Sequence, residues 1–251
     1  MEDVEQIRLQ FLLPGSPWDW KQELLEIMER GPLGEPTHWG EAEGLRNPYQ
    51  RKELIRFGDG ARRGEDSPVP VLLRTVQPRY GVTWNMSDSV PGWLCIDSRM
   101  RLRPGDPRLF FETAQQLATV LPVEYGLVDI QFQGAASELL LKGGTLQHPR
   151  GYVRWGPDTL FARTFFGPRL ARLMGETSLW GCGAVAHKLD NGVIMLDLLQ
   201  EPWKQGAVLL KQRQQQVLSQ LEHTGIFSRS EAGWTKPGER WVPPNGGPKQ
   251  G

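Results

Sequence analysis

The N-terminal region alternates apolar and polar residues and then changes to a helical period. The alternation predicts a strand over residues 6–13. Ser16 is typical of a helix N-cap, Pro17 of the first helical position, and Gly31 of a helix end. One face of this predicted helix is apolar, with Trp20, Leu24, Ile27 and Met28. The opposite face is acidic, with Asp19, Glu23 and Glu26. The pattern therefore indicates an amphipathic helix with its carboxylates in solvent.

The spacing of apolar residues predicts further strands and helices along the chain. Residues 31–68 are rich in Gly, Pro and charge, which predicts a long charged loop with a short helix around residues 49–57. Apolar runs predict strands over residues 69–75, 80–86, 93–98 and 123–133. Helix signals predict helices over residues 106–122, 168–175 and 207–223.

Asn191-Gly192 lies between two apolar runs and is typical of a type I′ turn, so we expect a hairpin with a two-residue loop. That register would put one set of side chains on a common face: Val185, His187, Leu189, Ile194, Leu196 and Leu198. The element order predicts an α+β fold, a single domain in which a largely antiparallel sheet is packed by a few helices. We expect this domain to span residues 1–228. Residues 229–251 are predicted to form a flexible tail, because nine of the last nineteen residues are Gly or Pro.

The composition and charge of the chain disfavour several classes of function. The chain has 251 residues, with 29 basic and 29 acidic side chains, so disorder and bulk binding to nucleic acid or anionic membrane are disfavoured. The neutral total conceals an acidic N-terminus, since residues 1–43 hold ten acidic and three basic groups. The apolar, strand-like settings of Cys95 and Cys182 predict buried free thiols. An acidic start without a signal-peptide pattern leads us to expect a cytoplasmic protein.

The residues offer no catalytic or cofactor motif. The four histidines are isolated, so no metal site is predicted, and phosphate-binding glycine loops and nucleophile elbows are absent from the sequence, so no cofactor is expected. Two alternatives stay open. Arg99, Arg101 and Arg103 would lie on one strand face and either bind phosphate or face solvent. A hydrolase or nuclease could use Asp129 or His187 with nearby arginines.

The acidic region suggests a binding role instead. A basic protein partner could contact the helix carboxylates Asp19, Glu23 and Glu26 and the following loop residues Trp39, Glu41 and Glu43. The competing interpretation is a solvated helix face followed by a mobile loop.

Three segments carry a resemblance to a known family. They are FFETAQQLATVLP, TLFARTFFGPRLARLMG and GVIMLDLLQEPWKQGA, followed by a closing helix. In this order the chain resembles the bacterial type VI immunity family, over about residues 93–223. The resemblance implies a non-enzymatic cytoplasmic protein that binds a cognate toxin, often a nuclease, and blocks its active surface. It supplies no catalytic residues. From the neutral total charge we also expect no direct nucleic-acid contact and no membrane contact. The toxin and the oligomeric state stay open.

Overall fold

The computed structural model describes residues 3–41, 47–61, 71–85, 91–98, 105–134 and 147–244. Its larger sheet has ten strands in the order β3-β2-β4-β5-β6-β1-β7-β8-β10-β9, and every pairing in it is antiparallel. The strands are β1 (Val4–Leu13), β2 (His38–Gly40), β3 (Asn47–Pro48), β4 (Val71–Arg74), β5 (Tyr80–Trp84), β6 (Gly92–Ser98), β7 (Tyr125–Phe132), β8 (Arg163–Phe166), β9 (Val185–Lys188) and β10 (Ile194–Asp197). Two further strands, β11 (Arg229–Glu231) and β12 (Trp234–Lys236), form a separate hairpin.

Helices pack on both faces of this sheet. They are α1 (Lys21–Arg30), α2 (Arg51–Ala61), α3 (Pro107–Val120), α4 (Pro149–Trp155), α5 (Pro168–Met174), α6 (Glu176–Gly181) and α7 (Ala207–Leu221). The predicted α+β class with a largely antiparallel sheet is confirmed. In the part of the chain that the structure describes, no helix is both long enough and apolar enough to span a bilayer.

The strand register divides the sheet into two faces. The front face carries Phe11, Trp84 and Phe165, and the back face carries Leu12 and Tyr125. On the front, the Trp18 ring before α1 stacks on Trp84 at a centroid distance of 5.8 Å. On the back, Tyr152 of α4 stacks on Tyr125 at 5.5 Å. Apolar side chains thus fill the layers on both sides, which accounts for strands that are buried along most of their length.

The N-terminal prediction is confirmed, with one refinement at the helix start. The Ser16 hydroxyl accepts a hydrogen bond from the Trp18 amide, and the first turn, Pro17–Trp20, is a 3-10 helix that continues into α1. Leu24, Leu25 and Met28 are buried against the sheet layer. Trp20 and Ile27 are partly buried. The three predicted outer carboxylates are exposed.

The region 31–68 contains more regular structure than its composition indicated. The predicted helix around residues 49–57 is present as α2. The short strands β2 and β3 extend the sheet beyond β4, although neither is long enough to show an alternating pattern. Pro48 in the edge strand β3 fits this position, because a proline cannot donate to a further strand. Residues 42–46 and 62–68 lie outside the described part.

The predicted hairpin exists, but its predicted two-residue loop is wrong. The Leu189 amide donates to the Val193 carbonyl at 2.8 Å, and the Gly192 amide donates to the Leu189 carbonyl at 2.9 Å. Gly192 has a φ of +84°, as expected where a tight turn is followed by a left-handed residue in a three-residue loop. The register therefore moves by one residue. His187 lies opposite Met195, and it does not share a face with Ile194 and Leu196 as predicted.

Asn191 gives the physical reason for this loop. Its side-chain amide donates to the carbonyl oxygens of Ala118 and Thr119, at 2.7 and 3.0 Å, while its carbonyl oxygen accepts from the Val193 amide. The loop is thus bonded to the end of α3, a contact that a local turn rule does not include. Cys95 and Cys182 are buried free thiols, as predicted, and burial raises the pKa of the Cys95 thiol to about 12.

The residues after position 228 follow a defined path up to residue 244. The Trp241 ring meets Tyr152 edge-on at 5.1 Å, and its indole N–H donates to the Val153 carbonyl at 3.1 Å. Trp234, by contrast, is 76% exposed. The proposed division of the chain at residue 228 stays a prediction.

Candidate partner-binding surface

Asp19, Glu23 and Glu26 form one row on the outer side of α1 and the turn before it. We call these three residues the acidic stripe. All three side chains are exposed; Glu23 and Glu26 are three residues apart on one face of α1, and Asp19 lies in the 3-10 turn that leads into it. The opposite side of the helix is fixed in the core by Leu24 and Met28. The carboxylates are therefore held outward by a rigid element rather than by a loop.

The carboxylates of α1 differ in their partners: some stabilise the packing of the helix, and others are exposed to solvent. Glu26 contacts Arg30 at 3.0 Å, but both side chains are largely in solvent, where such a pair contributes little. Glu29 is different, because it accepts hydrogen bonds from the Tyr49 hydroxyl and from Arg51, both at 2.7 Å. Burial, and then the bond to Glu29, raise the pKa of Tyr49. Glu29 therefore fastens α1 to α2.

A second set of contacts holds the turn before α1 against α2. Asp59 of α2 accepts from the Trp18 indole N–H at 2.8 Å and contacts Lys21 at 3.2 Å. Gly58 allows this approach, since a Cβ atom there would lie 2.2 Å from Trp18 Cζ2. The acidic stripe thus begins on a turn that is packed against a neighbouring helix, which limits the entropy lost when a partner binds.

The remaining predicted contact residues are placed differently. Trp39 of β2 is 9% exposed, and its ring packs on Phe57 at a centroid distance of 5.4 Å. Trp39 is thus a core residue on the front face rather than an aromatic anchor offered to a partner. Glu41 is exposed directly after β2. Glu43 lies outside the described residues, as do Arg99, Arg101 and Arg103. Partner binding through Glu41 and Glu43 stays a prediction, and so does the choice between phosphate binding and a solvated face for the three arginines.

An apolar groove of about 400 Å³ opens beside the acidic stripe. Its apolar walls come from separate parts of the chain, and include Pro14, Trp20, Val120, Val123, Pro168 and Val193. A Cβ atom built on Gly15 would lie 3.4 Å from Asp19 Oδ2 and 3.7 Å from Trp20 Cη2. The first carboxylate of the stripe therefore lies close to the ring that forms one wall of the groove.

The charged residues of the groove neutralise each other. Glu124 is 8% exposed and accepts hydrogen bonds from Arg169 and from the Tyr152 hydroxyl, the latter at 2.7 Å. Burial, and then the charge of Glu124, raise the pKa of Tyr152. Arg169 also donates to the Val242 carbonyl at 2.7 Å and lies over the Trp241 ring at 5.4 Å. Glu124 and Arg169 are thus already satisfied, which leaves the groove apolar.

Sequence reasoning missed the groove because its walls are distant along the chain. The segments meet where β1, α3 and β8 end, and a proline follows each end within two residues: Pro14, Pro122 and Pro168. These prolines indicated in the sequence where the strands and the helix end. Nothing in the sequence indicated that these three ends would lie together.

The two candidate catalytic residues do not share a site. Asp129 of β7 is 4% exposed and lies opposite Arg8 of β1 on the back face. His187 is exposed on the edge strand β9, on the front face. The strands between them are β8 and β10, so the two residues are separated by about 14 Å across the sheet alone. Among the described residues, no three His, Cys, Asp or Glu side chains are grouped as a metal site.

Asp129→Asn is expected to raise the free energy of unfolding at pH 7, with a smaller gain near pH 4. Burial raises the pKa of Asp129, against a lowering contribution from Arg8. Between the unfolded pKa and the raised folded pKa, the folded state keeps a proton that the unfolded chain has lost, so stability falls as the pH rises through this range. Asparagine imitates the neutral carboxyl and removes this loss.

Urea unfolding of both proteins between pH 4 and pH 8 measures the difference. A gain that shrinks as the pH rises would contradict the account of Asp129.

Comparison with solved structures finds a protein of similar fold. The chain resembles the Pseudomonas aeruginosa T6SS protein PA0821, with a TM-score of 0.51 and 11% sequence identity. The match covers 88% of this chain and 87% of that protein. At this identity the similarity concerns the fold, which the two proteins share over most of their length. The chain matches no protein-family model and no curated protein sequence.

Proposed function

We propose that this chain, whose fold is shared with a T6SS protein, is an immunity protein that binds a cognate bacterial toxin and covers its active surface. The observation that carries the proposal is the acidic stripe, because Asp19, Glu23 and Glu26 are all exposed on a helix fixed by its neighbours. The resemblance of residues 93–223 to the type VI immunity family supports the same assignment.

The charge of the stripe favours a nuclease as the partner. A nuclease cleft must attract phosphate and is therefore basic, so a fixed row of carboxylates complements it. Such complementarity raises the association rate and sets the docking orientation. The inhibitor needs no chemistry of its own, and we propose that the protein is not an enzyme. The proposed place of action is the cytoplasm, where a nuclease toxin meets its substrate.

A cleavage assay tests this function directly. The probe is the purified toxin domain encoded next to the gene for this chain, incubated with plasmid DNA or total RNA. We expect cleavage to fall with added protein and to stop near equimolar amounts. Full cleavage in the presence of a large molar excess of folded protein would overturn the proposal.

A further inference from the structure

We propose that the apolar groove beside the acidic stripe receives one aromatic or branched aliphatic side chain of the partner, flanked there by lysine or arginine. This inference rests on the proposed function and specifies the chemistry of the toxin segment. The groove supplies the apolar contact. Asp19 supplies the charge, since its carboxylate lies beside the Trp20 ring that forms one wall of the groove.

The size of the groove suits this occupant. Its volume of about 400 Å³ is at the low end of the range for ligand pockets, roughly 300–1,000 Å³. A single large side chain with its adjoining backbone fits such a space. Binding hot spots have the same arrangement, in which one apolar anchor fills a pocket and a polar rim excludes water.

The chemistry of the walls selects an apolar group. Val123 and Val193 are almost fully buried in the floor, whereas Val120 at the end of α3 is 42% exposed. Glu124 and Arg169 are already paired with each other, so their charges attract a polar side chain less than an unpaired charge would. An apolar side chain would cover Val120 and remove water from it, which is favourable.

The charge complementarity comes from the rim rather than the floor. The Asp19 carboxylate and the Trp20 ring both lie within 4 Å of one point beside Gly15. A cationic residue next to the anchor would therefore reach Asp19 while the anchor remains in the groove. The same carboxylate would repel an acidic segment.

The groove is also formed before binding. The Asn191 amide holds the β9–β10 loop to the carbonyl oxygens of Ala118 and Thr119. Arg169 is fixed at the start of α5 by its bonds to Glu124 and Val242. Because these walls are already ordered, little conformational entropy is lost when the anchor enters.

The matched variants Val120→Gln and Val208→Gln test the groove. Val208 is in the first turn of α7 and is 48% exposed, so the two substitutions remove similar apolar surface at different places. Calorimetric titration with the cognate toxin domain should show binding roughly tenfold weaker for Val120→Gln. We expect Val208→Gln to stay within about twofold of the unchanged protein. Equal affinities for all three proteins would overturn the inference while leaving the proposed function intact.

A second measurement does not depend on the toxin. The probes are short synthetic peptides with a central phenylalanine between lysines, the same peptide with alanine at the centre, and the same peptide with glutamates in place of the lysines. We expect only the first to shift the methyl resonances of Val120, Val123 and Val193 in NMR spectra. If no peptide shifts them, or the glutamate peptide does so equally, the inference is wrong. If the toxin binds none of the proteins but the first peptide binds the groove, the proposed function fails and the groove assignment stands.

Discussion

Reversing two charges of the acidic stripe, Glu23→Lys together with Glu26→Lys, is expected to lower the association rate constant with the cognate toxin by roughly ten- to hundredfold at low salt. Both side chains are exposed, so their main contribution is to the long-range attraction that guides the encounter. The Debye length is about 10 Å at 0.1 M salt, and the difference between the proteins should shrink as salt is added. Stopped-flow mixing at several salt concentrations measures both effects.

A second double variant controls for overall charge. Glu222→Lys with Glu231→Lys changes the net charge by the same amount at two exposed positions beyond α7. We expect the rate constant of this protein to fall much less, because its new charges lie outside the proposed docking surface. Equal slowing by both double variants would mean that total charge, and not the acidic stripe, guides association.

Replacing Arg163 with methionine is expected to lower the free energy of unfolding by about 3–5 kcal/mol, the usual cost of leaving a buried charge without its partner. Arg163 of β8 contacts Asp197 of β10 at 2.6 Å, and these side chains are only 12% and 10% exposed. The guanidinium also donates to the Phe111 carbonyl at 2.9 Å and lies over the Phe111 ring. This one residue thus joins two strands to α3, and urea unfolding measures its contribution.

The double variant Arg163→Met with Asp197→Leu separates the charge effect from lost packing. If the stranded carboxylate of Asp197 causes the loss, removing it as well should restore most of the stability. A double variant as unstable as Arg163→Met alone would assign the loss to packing and to the bond with the Phe111 carbonyl. Both outcomes leave the acidic stripe unchanged, so toxin binding by folded protein should persist.

Local signals in the sequence were enough to predict the first helix and the class of the fold. Ser16, Pro17 and Gly31 specify the ends of the segment that contains α1, and the period between them assigns Glu23 and Glu26 to the outer face. Likewise Asp106 caps α3, where its carboxylate accepts from the Arg108 amide at 3.0 Å. These features depend on neighbours within one or two turns, which a sequence displays directly.

Features that depend on distant contacts were not predictable in the same way. Trp39 looked like an exposed anchor because its sequence neighbours are acidic, but pairing with β4 and packing on Phe57 bury it. The hairpin loop has three residues because Asn191 bonds to the end of α3. The apolar groove brings together segments as distant as Pro14 and Val193. In each case the deciding contact lies elsewhere along the chain.

Growth of a bacterial strain that expresses the neighbouring toxin gene tests the central claim most directly. The toxin is induced in the cytoplasm, with and without this chain, and cell density is followed over time. The account predicts that growth stops with the toxin alone, resumes when the chain is present, and is restored more weakly by the Glu23→Lys, Glu26→Lys protein. Continued arrest in cells that contain folded, soluble chain would contradict it.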